Sequence, residues 1–450
     1  MLSERNRILV ESIKRLLRRK ASVNLQKIVD KTHAADLAVV FRYLSLTDQQ
    51  KLLDTVNDVK QKGYVLCELD EDIWVAIAEN LEADKIVEIL EQMPADEAAF
   101  LLNALPEEKT AFFLNKMAKA EAKEAQKLLQ FEDDTAGSIM VTDYVALKAD
   151  TTADEAIASL RNEHSGVEMP FYIYVVDETL KLLGVCSLRQ LVVMASNAPL
   201  KDFMTKDIIY VRTDTDQEEV ARMVSRYDIL AVPVVDENKI LKGIVTIDDV
   251  VDILRQEATE DMLKMAGAGE EFIETKSVLT SIKTRMPWLF ASCIGGILAS
   301  YVIGSFSGSL TKYAFLAAFI PVIMGMGGNI GIQSSTIVVR GLATGRILIS
   351  DLWKVMVKEV TVGLSLGCTY GILLASVAGF RSSKMMLSLA VGLAILTSMT
   401  LAALSGSLVP IIFAKLEKDP AVATGPFVTT AIDVISVFCY FHIATALLGL

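Results

Sequence analysis

Five long apolar stretches follow one another between Trp288 and Leu450, near 287–307, 313–340, 354–379, 385–414 and 426–449. A bilayer crossing takes roughly 20 apolar residues, and each stretch has them. In hydrocarbon every backbone N–H and C=O must find its partner within the protein, so segments of this kind are helices. The last third of the chain is therefore expected to be a five-helix membrane domain, 281–450. The two longest stretches are expected to tilt, kink or extend past the bilayer.

Inside the second stretch lies Pro321-Val-Ile-Met-Gly-Met-Gly-Gly-Asn-Ile-Gly-Ile-Gln333. Glycines weaken helices but allow close backbone approach and carbonyl geometry outside the helical ladder. In a membrane such backbone belongs beside protein or a watery cavity. Gly325, Gly327, Gly328, Asn329, Gly331 and Gln333 thus point to a pore lining, the alternative being tight helix packing through small residues. Asp433 is the only acid in the last span, and intramembrane carboxylates usually face an ion or water pathway. Gly425 and Thr429 precede it by eight and four residues and share its helical face. Carboxylate, hydroxyl, amide and bare carbonyl oxygens together make a hard-cation set that suits partly hydrated Mg²⁺. The alternative for Asp433 is an ion pair with Arg340. Glu359, with Lys354 and Lys358 nearby, reads as a charged helix end without a pore role.

Charge is unevenly placed. Residues 281–450 carry 11 Lys and Arg against 5 Asp and Glu, a balance of +6; the chain is −12, leaving −18 on residues 1–280. So acidic a region is a poor nucleic-acid binder and a plausible host for cations. Arg340, Arg346, Lys354 and Lys358 flank the second connection and Lys415 and Lys418 the fourth, which favours a cytoplasmic N-terminal region. The first twenty residues hold seven basic groups and no apolar core, so an amphipathic helix is expected there rather than a signal peptide. The cysteines (Cys67, Cys186, Cys293, Cys368, Cys439) lack CxxC spacing, and the histidines (His33, His164, His442) are scattered. Neither a disulfide framework nor a zinc site is expected. Without HExxH or GxSxG, a membrane enzyme is disfavoured.

Residues 21–130 read as all-helical, with Met93-Pro94 and Leu105-Pro106 opening acidic first turns that suit the helix dipole. Recurring short helix pairs suggest a small superhelical array. An internal repeat follows. Val145–Thr152 aligns with Ile209–Asp216 at an offset of 64, and Tyr174-Val-Val-Asp177 with Pro233-Val-Val-Asp236 and Gly184 with Gly243 at 59. Each copy predicts the order β–α–β–β–α, and residues 137–255 resemble a tandem pair of CBS domains. Overlapping its end, 248–276 reads as an acidic helix with Asp249, Asp252, Glu257, Glu260 and Asp261 on one face. Such a stripe repels itself unless cations or basic partners intervene; a plain solvated face is the alternative.

In this order the parts resemble the MgtE family of magnesium channels: all-α superhelical N-domain (21–130, after the amphipathic helix 1–20), α/β tandem CBS pair, linking plug helix and five-helix α transmembrane domain. The run from Pro321 to Gln333 and the segment Asp419-Pro420…Gly425-Pro426…Asp433 carry the likeness. It implies a non-enzymatic homodimer in the bacterial inner membrane, N-terminal domains cytoplasmic, with one pore on the two-fold axis. Asp433 would hold the hydrated ion, with Gly328, Asn329, Gly425 and Thr429 nearby. It also implies a cytosolic Mg²⁺ sensor at Asp216, Glu218, Asp228, Asp249, Asp252, Glu257, Glu260, Asp261 and Asp419, with Asp96 a weaker match. Mg²⁺ is then both cargo and regulator, and ATP at the CBS pair is a candidate further ligand. Ile332 is apolar where relatives can carry a polar residue and Thr429 stands where a smaller one can, which leaves selectivity over Mn²⁺, Co²⁺ or Ca²⁺ open; the alternative reading of the CBS pair is a nucleotide sensor that regulates a carrier of another divalent cation such as Mn²⁺ or Co²⁺.

Overall fold

The computed structural model describes residues 4–162, 171–268, 278–347, 351–382, 384–416, 418–422 and 424–449. They divide into two compact units, 1–254 and 255–450.

The first unit opens with short helices: α1 (Glu4–Arg18), α2 (Ser22–Val29), α3 (Ala34–Phe41), α4 (Leu46–Thr55), α5 (Val59–Cys67), α6 (Glu71–Asn80), α7 (Ala83–Glu91), α8 (Ala95–Asn103), α9 (Glu107–Lys116) and α10 (Lys119–Leu128). At eight to ten residues, α2 to α10 are too short to persist alone, so packing holds them. Val10, Ile13, Leu37, Phe41, Leu52, Trp74, Ile77, Ile86 and Leu102 form one continuous core. The polar ties across it span about one repeat: Lys85–Asp54 at 3.1 Å, Lys109–Glu79 at 2.8 Å, Lys116–Asp84 at 2.8 Å, and Trp74 Nε1 donating to the Leu101 carbonyl at 2.8 Å. This is the expected stacked array. Pro94 and Pro106 sit at the N-cap, one residue earlier than the first-turn position expected, with φ of −54° and −55°. The acids Asp96, Glu97, Glu107 and Glu108 occupy the first turns as anticipated.

The repeat builds two matching sheets. Strands β1 (Ala146–Lys148), β2 (Tyr172–Val176) and β3 (Leu182–Ser187) go with helices α11 (Ala153–Asn162), α12 (Leu188–Val193) and α13 (Leu200–Phe203). Strands β4 (Val211–Arg212), β5 (Ala231–Val235) and β6 (Leu241–Thr246) go with α14 (Gln217–Tyr227) and α15 (Ile247–Met265). In each sheet the first pair is parallel and the second antiparallel, with a bulge at Val175/Val176 and at Val234/Val235. The offset of 59 holds at atomic detail. Asp177 Oδ1 accepts from the backbone N–H of Thr179 and Lys181, and Asp236 Oδ1 from those of Asn238 and Ile240. Tyr174, Val176, Leu182, Val235, Leu241 and Ile244 close the two repeats onto a shared core.

α15 is shorter than the expected acidic helix. It ends at Met265, where Gly267 adopts φ +67°. Ala268 N–H donates to the Leu263 carbonyl and Gly267 N–H to that of Lys264, the pattern of a glycine-terminated helix. Residues 269–276 of the expected helix lie outside the described residues.

The second unit holds the five helices long and apolar enough to cross a membrane: Ser281–Ser305, Ala314–Ala343, Leu352–Arg381, Met385–Lys415 and Pro426–Leu448. They belong to α16 (Val278–Ser305), α18 (Ile320–Ala343), α19 (Leu352–Ser382), α20 (Met385–Lys415) and α21 (Pro426–Leu448), with short α17 (Ser307–Lys312) between the first two. The second span is not one helix. A 3-10 turn, Ala314–Phe319, precedes α18, and Pro321 then lies in the first turn, where its missing N–H costs nothing. α19 and α20 meet through backbone. A Cβ at Gly367 would lie 2.9 Å from the Leu396 carbonyl oxygen, and one at Gly371 2.7 Å from that of Gly392.

Candidate functional site

The glycine run is helical throughout, within α18. Its carbonyls stay in the helical ladder, so the expected bare carbonyl ligands are not formed. What the glycines provide instead differs by face. A Cβ on Gly327 would lie 2.7 Å from Ser436 Oγ and 2.9 Å from Ser398 Oγ, and one on Gly331 would collide with Ile432. That face is close packing of α18 against α20 and α21. Gly325 and Gly328 have open space where a Cβ would be, and Asn329 beside them is exposed. Close packing thus accounts for Gly327 and Gly331, while Gly325, Gly328 and Asn329 lie on an open face of the helix.

The contacts of Gly327 with Ser436 and of Gly331 with Ile432 set the level of α21 against α18. They put Asp433 at the height of Gly328 and Asn329. Asp433 is partly exposed, and among the described residues it has no hydrogen-bond or ion-pair partner. The alternative pairing with Arg340 is not formed. One and two turns before Asp433, the Thr429 hydroxyl donates to the carbonyls of Gly425 and Pro426 at 3.3 and 3.2 Å. Gly425 caps the helix and is buried; a Cβ there would lie 2.7 Å from the Met265 carbonyl oxygen.

The acidic residues are dispersed. In the first unit Asp96 lies in the first turn of α8, and Asp216 caps α14, accepting from Glu218 N–H at 2.8 Å. Glu218 accepts from Arg222 at 3.1 Å, and Asp228 ends α14 in the left-handed conformation. Asp249 accepts from the Thr246 hydroxyl at 2.6 Å. Burial pushes its carboxyl up to about 6, the Thr246 hydrogen bond opposing and Asp248 and Asp252 adding. Asp252, on the same helix, is exposed. In the second unit Glu257, Glu260 and Asp261 are half-buried on the last turns of α15. Asp261 is raised above the usual carboxylate range by burial and by Asp419, with Arg340 opposing. Among the described residues no three His, Cys, Asp or Glu side chains converge on a metal-sized site.

Two residues escaped the sequence reading. Lys264 pairs with both Glu260 and Asp419, the latter at 2.9 Å, so the cation between these carboxylates is the protein's own. Glu260 and Lys264 at i and i+4 were the visible half of that signal. Glu359, read as a charged helix end, is buried and accepts a 2.9 Å hydrogen bond from Ser334. Its register with Gly363, Gly367 and Gly371, four residues apart along the face packed on α20, was the signal for burial.

Five helices long and apolar enough to cross a membrane, preceded in the chain by a helical array and a paired α/β repeat, mark an integral membrane protein with a large non-membrane part. Comparison with known proteins narrows this. The model of the MgtE family, described as a divalent cation transporter, matches residues 320–443; that of the MgtE intracellular N domain matches 32–134; and that of the CBS domain matches 136–195 and 200–256. Magnesium transporter MgtE of Bacillus subtilis is 32% identical over 434 residues, covering 96% of this chain and 95% of the relative. The proteins of that name from Enterococcus faecalis and Thermus thermophilus are 38% and 37% identical, each over 72% of both chains. The crystal structure of the soluble part of a magnesium transporter covers 56% of this chain and 99% of its own, at 30% identity and TM-score 0.51. The cytosolic domain of the Mg²⁺ channel MgtE in complex with ATP covers 54% and 99%, at 34% identity and TM-score 0.52. The chain belongs to the MgtE family of magnesium transporters.

Proposed function

We propose that this chain is a Mg²⁺-selective channel of the bacterial inner membrane, working as a homodimer with its first unit in the cytoplasm and closing when cytosolic Mg²⁺ is high. The observation that carries the reading is Asp433, a carboxylate in an apolar span without a partner among the described residues, level with the open glycine face of α18. A carboxylate there attracts a cation, and space beside Gly325 and Gly328 leaves the ion its water, which Mg²⁺ sheds reluctantly. The pore set is then Asp433 with Gly328, Asn329, Gly425 and Thr429.

The gate follows from charge. Asp216, Glu218, Asp228, Asp249, Asp252, Glu257, Glu260, Asp261 and Asp419, with Asp96 contributing weakly, supply carboxylates whose mutual repulsion Mg²⁺ relieves. No three of them form a metal-sized cluster among the described residues, and in this reading the sensor sites form as these surfaces meet in the closed dimer. Binding that favours one arrangement shifts the population towards it. The ATP complex of the related cytosolic domain supports ATP as a ligand of the CBS pair.

Patch-clamp of the reconstituted protein, stepping Mg²⁺ on the side of the first unit from near zero to about 10 mM, tests the reading. Current at low Mg²⁺ that shuts at high Mg²⁺ is expected. Tracer uptake without current would favour the second reading, a CBS-regulated carrier of Mg²⁺, Mn²⁺ or Co²⁺, which the broader description of the matched family model allows.

A further inference from the structure

We propose that Glu359, with the Ser334 hydroxyl beside it, forms a second cation-binding site in the membrane unit, separate from Asp433, that takes one small singly charged hard cation. The inference goes beyond the magnesium reading and does not rest on it.

Glu359 is 4% exposed on a helix of the membrane unit, and Ser334 of α18 donates to its Oε2 at 2.9 Å. One neutral hydroxyl does not balance a buried carboxylate. A buried carboxyl takes up a proton unless an opposite charge or a bound ion keeps it ionised, and the proposal is that an ion does so here. Among the described residues no opposite charge pairs with it. α19 packs on α20 and α18. On α20 the turns facing Glu359, 399–411, hold no ionisable side chain. On α18 the only one near Ser334 is Arg340, which is exposed. On α19 itself Lys354 pairs with Asp351 and is exposed, as is Lys358. None of these bases forms an ion pair with Glu359 among the described residues.

Ser335, next to Ser334, is fully buried, and its Oγ has no hydrogen-bond partner. The Glu359 carboxylate and the Ser334 hydroxyl, on adjoining helices, are the oxygen ligands that such an ion would take. The surroundings choose its charge. One carboxylate neutralises one positive charge, so a divalent ion would leave the site charged in a low dielectric. Mg²⁺ also keeps several waters and near-octahedral geometry, which residues 0–4% exposed do not accommodate. A dehydrated ion such as Na⁺ suits hydroxyl and carboxylate oxygens. Its binding would tie α19 to the helix that bears the glycine run.

The test is thermal unfolding of the full-length protein in nanodiscs without Mg²⁺, at fixed pH, titrated with NaCl against choline chloride at equal ionic strength. Sodium should raise the melting temperature saturably, by about 3–8 °C at large excess. Glu359→Gln should abolish the sodium-specific rise while keeping the shape and a hydrogen-bond acceptor. Ser334→Ala should shift the titration to about tenfold higher sodium. Equal behaviour in sodium and choline overturns the proposal, as does a full sodium response in Glu359→Gln. If that variant does not fold, an unshifted titration in Ser334→Ala overturns it. With Mg²⁺ absent throughout, a negative result leaves the channel reading untouched.

Discussion

The Lys264 ammonium lies 2.9 Å from the Asp419 carboxylate and also pairs with Glu260 on its own helix. A tethered cation thus occupies ground that the proposed sensor assigns to Mg²⁺. Lys264 is 21% exposed, Glu260 19% and Asp419 36%, so water screens the trio only in part. In the proposed mechanism Lys264 competes with the metal and sets how much Mg²⁺ is needed for closure.

Lys264→Met should therefore lower the Mg²⁺ concentration for half-closure by about three- to tenfold, since each tenfold in affinity corresponds to about 1.4 kcal/mol. The stability change should stay within about 1 kcal/mol, as for partly exposed ion pairs. Current measured against cytosolic-side Mg²⁺ reads the first, and denaturant melts the second. An unchanged or raised half-closing concentration would remove Lys264 from the gate.

Asp433→Asn keeps the volume and removes the charge. Because Asp433 makes no structural hydrogen bond or ion pair among the described residues, the melting temperature should hold. Mg²⁺ flux into proteoliposomes should drop by at least about tenfold, the scale of losing one direct charge contact with the ion. Flux near the native level would sink the pore assignment.

Why some of this was legible in the sequence and some was not follows from range. The five spans were readable because hydrocarbon imposes length and composition locally. The break before α18 was marked by Pro321 yet placed only by packing. The CBS-like repeat was readable to the residue because Asp177 and Asp236 make the same local turn. Stripes on one helix, such as Glu257, Glu260 and Asp261, need only the helical period. By contrast, Lys264 and Asp419 are 155 residues apart, and nothing local joins them. Glu359 misled because Lys354 and Lys358 suggested a solvated helix end, whereas side chains one residue apart on a helix face different surroundings. For the glycine run the sequence offers pore lining or close packing for the run as a whole, because it does not say which glycines face a neighbour.

Asp249 makes a pH prediction. Its folded-state carboxyl titrates at about 6, raised first by burial, against an ordinary value of 3.8. The folded protein then holds this proton more tightly than the unfolded chain, so stability falls as pH rises from about 4 to 6 and levels off above. Asp249→Asn, which can still accept from Thr246, should flatten that slope and raise stability at pH 7 by roughly 1–3 kcal/mol. Protons should also compete with Mg²⁺ here, so wild-type closure at pH 5.5 should need more Mg²⁺ than at pH 7.5, with a smaller difference in Asp249→Asn. Urea melts at both values and Mg²⁺ dose–response currents check both parts. A wild-type slope retained in the Asn variant would assign the titration elsewhere.

The end of α15 and the start of α21 meet where only glycine fits. A Cβ on Gly425 would lie 2.7 Å from the Met265 carbonyl oxygen, and one on Gly267, already at φ +67°, would lie 3.1 Å from Pro426. The obstruction at Gly425 is backbone, which cannot rotate aside as a side chain can. Gly425→Ala should therefore push the α15 terminus off the α21 cap, at a cost of about 1–3 kcal/mol. Gly267→Ala should cost about 1–2 kcal/mol through the left-handed conformation, with milder crowding. In the proposed channel the two differ in function as well. Separating α15 from α21 loosens the link by which the acidic helix holds the pore shut, so Gly425→Ala should pass current at Mg²⁺ concentrations that close the native protein. Gly267→Ala should keep closure, at a higher Mg²⁺ concentration. Paired recordings and melts of both variants decide it: destabilisation of Gly425→Ala with unaltered closure would mean this contact holds the fold without transmitting the gate.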